Sequence, residues 1–287
     1  MAIRRIFATV DGSEPARRAA ERAASLTGPF QARLTLAHVH AQGTAEAAVA
    51  LGGAGMLAQT RQEGEKSMAS ILEDLGDIQA DRVVLLGSDV VGLLCEAALD
   101  GGADLLVAGT VGRTGISRFF LGSVAEGVVR RAHCPVWVER SSEPAVGDVE
   151  RIVVCTDLSP LSEAGVALAA EFGATLGSAV EIVYALETSY RGLTIEARRE
   201  LTANLRAGLD RIATEHFGDA PPRTSIVEGA NVVEAITAHA ERTSADLLVL
   251  ASHGRTGVSR VLLGSVAERV TRFAPCSVLV ARSPVSS

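Results

Sequence analysis

The chain has 287 residues, 47% of them apolar and 21% charged, with a net charge of −7. That is the balance of a globular chain long enough for two domains. It excludes the basic footprint of a nucleic-acid binder, and no apolar run approaches the roughly 18 residues that span a bilayer.

Read in chain order, two similar series of elements emerge. Met1-Ala2-Ile3-Arg4-Arg5-Ile6 enters an apolar strand pattern at once, without the h-region and cleavage site of a signal peptide. The expected compartment is therefore the cytoplasm. The first strand ends at Asp11, and Ser13 is placed to cap the helix that follows. Leu34 to Val39 reads as a second strand, and a long helical stretch interrupted by Gly52-Gly53-Ala54-Gly55 comes next. Arg82 to Leu86 is a third strand, Leu105 to Ala108 a fourth and Val136 to Val138 a fifth, with helices between them. Ser141 to Asp148 reads as a linker. The order then restarts: Ile152 to Asp157, a helix capped by Ser159 with Pro160 in its first turn, then strands at Val180 to Ala185, Arg223 to Val227, Leu247 to Leu250 and Val278 to Val280.

The two series are an internal repeat. Asp104 to Arg140 returns as Asp246 to Arg282, with roughly 23 of 37 positions identical and no gap. The expected division is a first domain over 1–140, a linker over 141–149 and a second domain over 150–287. Short, continuously apolar strands alternating with helices imply an α/β class: two tandem doubly wound domains, each a parallel sheet with helices on both faces. In such sheets ligands bind beyond the carboxyl ends of the strands, where strand order reverses.

Two residue types narrow the chemistry. Cys95, Cys134, Cys155 and Cys276 form no Cys-x-x-Cys pair, so neither zinc nor a dithiol is indicated and they read as small buried hydrophobes. Lys66 is the only lysine. Lys66-Ser67 follows Gly64 with one residue between, which fails the P-loop spacing. Any phosphate site must therefore work without a P-loop lysine.

The fourth strand leads into a glycine-rich loop in each copy. The first runs from Gly109 through Gly112 to Gly122-Ser123, the second from Ala251 through Gly254 to Gly264-Ser265. Glycines let backbone approach a ligand, and the helix opening after Gly122 or Gly264 offers free amides and a positive dipole end to an anion. The residues alone leave a second reading open. Ser123-Val124-Ala125-Glu126 and Ser265-Val266-Ala267-Glu268 have the form of capping boxes, which explains the serines with no ligand.

Gly109, Gly112, Gly122 and Ser123 fit Gly-x2-Gly-x9-Gly-Ser/Thr, and in this respect the chain resembles the universal stress protein family. The second copy fits with Ala251 in place of the first glycine. The resemblance covers nearly the whole chain, twice. It implies a five-stranded parallel sheet per domain, a dimer-like pairing of units that can extend to a homodimer, and membership of the ATP-binding branch, with ATP accompanied by Mg²⁺. It further implies that Asp11 and Asp157 face the adenosine, with Val10 beside the first. Val39 and its counterpart Ala185 would contact adenine. Gly109, Gly112, Gly122, Ser123 and Val124 would line ribose and phosphates, as would Ala251, Gly254, Gly264, Ser265 and Val266. Plain structural roles stand beside these: turn formation for the aspartates and core packing for Val39. Arg113, Arg118, Arg255 and Arg260 are candidates to screen phosphate charge or to be solvated, and His253 reads as a surface residue. No Ser/His/Asp spacing or paired-carboxylate metal set is evident. The expectation is therefore a nucleotide-dependent stress-response or signalling module and not an enzyme, with a slow ATPase or a ligand-free interaction module as alternatives. Nucleic acid and membrane are not expected partners.

Overall fold

The computed structural model describes residues 2–40, 54–76, 78–110, 121–140, 147–188, 192, 194–252 and 263–282. The chain divides into two compact units, Ala2–Val146 and Gly147–Ser287.

In the first unit the strands are β1 (Arg5–Val10), β2 (Arg33–His40), β3 (Ala80–Leu86), β4 (Leu105–Gly109) and β5 (Val136–Glu139). The helices are α1 (Glu14–Phe30), α2 (Ala54–Asp74), α3 (Val90–Asp100) and α4 (Ser123–Arg131). In the second unit they are β6 (Arg151–Cys155), β7 (Ala179–Glu187), β8 (Arg223–Gly229), β9 (Leu247–Ala251) and β10 (Ser277–Ala281), with α5 (Pro160–Leu176), α6 (Ile195–Phe217), α7 (Val232–Thr243) and α8 (Ser265–Phe273).

All pairings within each unit are parallel, in the order β3-β2-β1-β4-β5 and β8-β7-β6-β9-β10. The order reverses between β1 and β4, and between β6 and β9. Helices cover both faces, which is why β1 and β4 are buried almost end to end rather than alternating. Alanines at 16, 19, 20, 23 and 24 give α1 a thin buried face that sits close on the sheet.

Local chemistry fixes the element ends as the residues suggest. Ser13 and Ser159 cap α1 and α5 through their hydroxyls, and Pro160 is the first residue of α5. Asp104 and Asp246 each accept two amides, from Arg4 and Arg5 and from Glu150 and Arg151, tying the start of β1 or β6 to the loop before β4 or β9. The third strands depart from the sequence alignment by one residue. Leu36 faces Arg82, whereas its counterpart Ile182 faces Thr224, so Arg82 corresponds to Thr224 and not to Arg223. Cys134 and Cys155 are buried as expected, but Cys95 and Cys276 are only half-buried; none is in a disulfide. Lys66 lies exposed on α2.

In the second unit a polar network fastens α7 to the sheet. Glu181 on β7 accepts from Ser225 at 2.5 Å and lies 3.0 Å from His239 Nε2, while Arg242 donates to His239 Nδ1 at 2.6 Å. An arginine can only donate, so Nδ1 carries the lone pair and Nε2–H donates to Glu181. Burial pushes the Glu181 carboxyl up, but Ser225, His239 and Arg223 together outweigh it and hold it below its ordinary value. A lowered folded-state pKa stabilises above the unfolded pKa of about 4.3, and that stabilisation is lost as pH falls through the folded value. Urea midpoints should therefore separate wild type from Glu181→Gln at pH 7 and converge only once the pH has fallen below the lowered folded-state value. A gap that stays constant with pH would show that the carboxylate charge contributes nothing.

Candidate functional site

The second unit carries a cavity of about 490 Å³ at the carboxyl ends of its strands, a usual size for a small-molecule site. It lies at the reversal between β6 and β9 and brings together Asp157, Ala185, Ala251, Gly264, Ser265 and Val266. The other residues singled out by sequence in this unit, His253, Gly254, Arg255 and Arg260, lie outside the described residues.

Each wall has a local cause. The β6 strand end turns through Asp157, whose carboxylate accepts the Ser159 amide at 3.0 Å and the Ser159 hydroxyl at 2.5 Å. That is the turn-forming role, and it is present whatever the cavity holds. Leu158 adopts φ 62° where the first unit has Gly12 at φ 78°. A leucine pays for this conformation with roughly 1–2 kcal/mol. Its side chain packs at Gly208 on α6, where an added Cβ would meet Leu158 Cδ1 at 2.9 Å.

The start of α8 forms the floor of the cavity. Gly264 is the N-cap, with φ −60° and ψ 142°, and makes no side-chain cap bond. Its carbonyl already accepts from Glu268 at 2.9 Å. In the first unit Gly122 does the same for α4, its carbonyl accepting from Glu126 at 2.9 Å. This corrects the capping-box reading. Ser123 and Ser265 are the first helical residues, not caps, because the extended glycine before each already occupies the cap position. Both serines are exposed. The first-turn amides of an α-helix have no partner within the helix; in α8 they are left uncapped where Gly264, Ser265, Val266 and Ala267 line the cavity.

In the first unit Val10 closes β1, Asp11 follows it and accepts from Ser13 N at 2.9 Å, and Val39 is half-buried near the end of β2. Gly109 ends β4, while Gly122, Ser123 and Val124 form the start of α4. Gly112, with Arg113 and Arg118, lies outside the described residues.

Gly109 has a packing role beside the one expected of it. A Cβ there would lie 2.4 Å from the Pro15 carbonyl oxygen at the start of α1, so helix packing alone forbids a side chain. In the second unit the glycine has moved to the helix. Ala251 stands at the strand end, and Gly165 on α5 is the residue whose Cβ would crowd the Ala251 amide, at 3.2 Å. At the matching positions the first unit has Gly109 and Ala19 and the second Ala251 and Gly165.

Sequence reasoning missed several lining residues: Thr156, Ser162, Tyr184, Leu186, Glu187, Val232, Ile236 and Ser252. Thr156 was findable as the counterpart of Val10. Val232 and Ile236 come from α7, remote in sequence, and had no local signal. Among the described residues one cluster has metal-ligand character, Glu163, Glu215 and His216 on α5 and α6. Arg211 bridges its carboxylates at 3.0 and 2.8 Å and already supplies a positive charge there.

Fold and site together define a doubly wound α/β module, present twice, with a cavity at the strand-order reversal of the second copy. The chain belongs to the universal stress protein family: the family's model matches residues 2–140 and again 149–282. A universal stress protein of Mycobacterium tuberculosis is 32% identical over 191 residues, 63% of this chain and 62% of that protein. The matched region thus spans about three fifths of that relative's length. One from Methanocaldococcus jannaschii is 34% identical over 143 residues, 47% of this chain and 83% of its own. In fold, a universal stress protein crystal structure from Archaeoglobus fulgidus aligns over 97% of this chain and 98% of its own, with a TM-score of 0.73 at 21% identity. Among the described residues no helix is long and apolar enough to cross a membrane.

Proposed function

We propose that the chain is a nucleotide-dependent stress-response module that binds an adenine nucleotide, ATP with Mg²⁺, through the strand ends of each unit. One observation carries the reading: α8 opens uncapped into a 490 Å³ cavity. Free first-turn amides and the positive helix end suit phosphate oxygens. The cavity's other wall, from Ala185, Leu186, Val232 and Ile236, is apolar enough for a flat base. The missing P-loop lysine is then no obstacle, because the donors are backbone.

In this reading the chain holds nucleotide rather than turning it over, and occupancy is the signal. The direct test is to denature freshly purified protein and identify the released nucleotide by mass spectrometry, with stoichiometry per chain. Two equivalents of ATP are expected. ADP alone would favour a slow ATPase on the same fold. No nucleotide, and no uptake on titration with Mg-ATP, would overturn the reading in favour of a ligand-free interaction module.

A further inference from the structure

The β6 strand end of the second unit carries a hydroxyl pair that the first unit lacks. Thr156 and Ser162 both line the cavity and are 6% and 4% exposed. Their oxygens are 2.8 Å apart. The Ser162 hydroxyl donates to the Ser159 carbonyl at 2.8 Å, and a carbonyl can only accept. Its single proton is used there, so Thr156 is the donor of the pair. The Thr156 oxygen in turn accepts the Leu158 amide at 3.0 Å. Both hydroxyl protons are spent inside the chain, and each oxygen keeps a lone pair for a ligand. The cavity carboxylates, Asp157 and Glu187, are likewise acceptors when ionised.

The cavity therefore has two poles. At the β6 end the groups accept; at the α8 end the backbone amides donate. In the first unit Val10 and Ala16 stand where Thr156 and Ser162 stand, so its strand end lacks this hydroxyl pair.

We infer that the Thr156–Ser162 pair makes the second unit selective for a nucleotide that presents a hydrogen-bond donor to the β6 strand end, a selectivity the first unit does not share. The donor is a ribose hydroxyl or the exocyclic amine of the base. The inference rests on the nucleotide reading above and adds an orientation and a selectivity to it. A ligand with an acceptor in that place meets lone pair against lone pair in a buried setting, which disfavours it by about tenfold or more.

Photolabelling resolves the two units. The full chain is labelled with 8-azido-ATP, and labelled peptides of each unit are quantified by mass spectrometry. Competitors are ATP, inosine triphosphate, 2′-deoxy-ATP and 3′-deoxy-ATP. At the second unit, one analogue should compete about tenfold more weakly than ATP. Which analogue fails tells whether the donor is the amine or a sugar hydroxyl. In Thr156→Val/Ser162→Ala, which copies the first unit's residues, that ratio should fall toward one, with first-unit ratios unchanged. Ser162→Ala alone keeps the Thr156–Leu158 bond and guards against collapse of the turn; it should show a partial loss of preference. If wild type and both variants discriminate equally, or wild type not at all, the selectivity is overturned while the nucleotide reading stands. If ATP protects neither unit, the nucleotide reading fails and this inference with it.

Discussion

Replacing Gly122 and Gly264 together by valine should weaken nucleotide binding by about 100-fold while the chain stays folded. The backbone at these glycines does not require glycine: φ and ψ of −64° and 150°, and of −60° and 142°, are open to any L-residue. Valine is a poorer N-cap than glycine, at roughly 0.5–1 kcal/mol per helix, a loss that moves the melting temperature by only a few degrees. The binding loss has a different origin. Phosphate at this spot depends on backbone amides approached closely, and each charge-assisted bond contributes roughly 1.5–3 kcal/mol. An isopropyl group beside the first turn of α4 or α8 displaces the phosphate from one or two of them. Calorimetric titration with Mg-ATP beside a thermal melt separates the effects. Unchanged affinity in a folded variant would remove the helix start from the site; a variant that no longer melts cooperatively would show these glycines to be structural.

Much of this site was legible because the chain states it twice. Apolar runs bounded by Asp11 and Asp157 marked the strand ends, and the glycines at 122 and 264 marked the helix starts, since both depend on local backbone chemistry. What was not legible depends on convergence or on geometry. The capping-box pattern at Ser123 and Ser265 is correct in letters, yet the helix begins one residue earlier, because an extended glycine can cap with its carbonyl alone. Gly109 reads identically whether it makes room for a ligand or for the Pro15 carbonyl, and only the 2.4 Å approach reveals the packing requirement. The one-residue slip at the third strand arose because the repeat changes spacing between β2 and β3, where the copies share little sequence. Ser162, Val232 and Ile236 reach the cavity from helices whose faces are set by packing, and Glu181 with His239 is a pairing across 58 positions that no local pattern announces.

A buried ion pair in the first unit sets the largest expected loss of stability. Arg22 Nε lies 3.1 Å from Glu139 Oε2, with side chains 9% and 6% exposed. Trp137, fully buried, donates its indole N–H to the same oxygen at 2.7 Å, and the guanidinium carbon stands 5.2 Å from the ring centroid. Glu139→Ala strands the guanidinium in a low-dielectric setting and leaves the indole without this acceptor. The expected cost is about 3–5 kcal/mol, the usual penalty for removing one partner of a buried pair. The pair is not needed for the fold as such, because the second unit carries Leu168, Leu279 and Ala281 at the matching positions, and all three are buried. Arg22→Leu/Glu139→Gln removes both charges yet keeps an acceptor for Trp137, and should lie within about 2 kcal/mol of wild type. Denaturant unfolding followed by circular dichroism gives both numbers, and the single tryptophan reports on the first unit by fluorescence. A loss below about 1 kcal/mol for Glu139→Ala would mean that water or another group reaches Arg22. A double variant as unstable as the single would mean that the pair, and not merely its charge balance, holds β5 to α1.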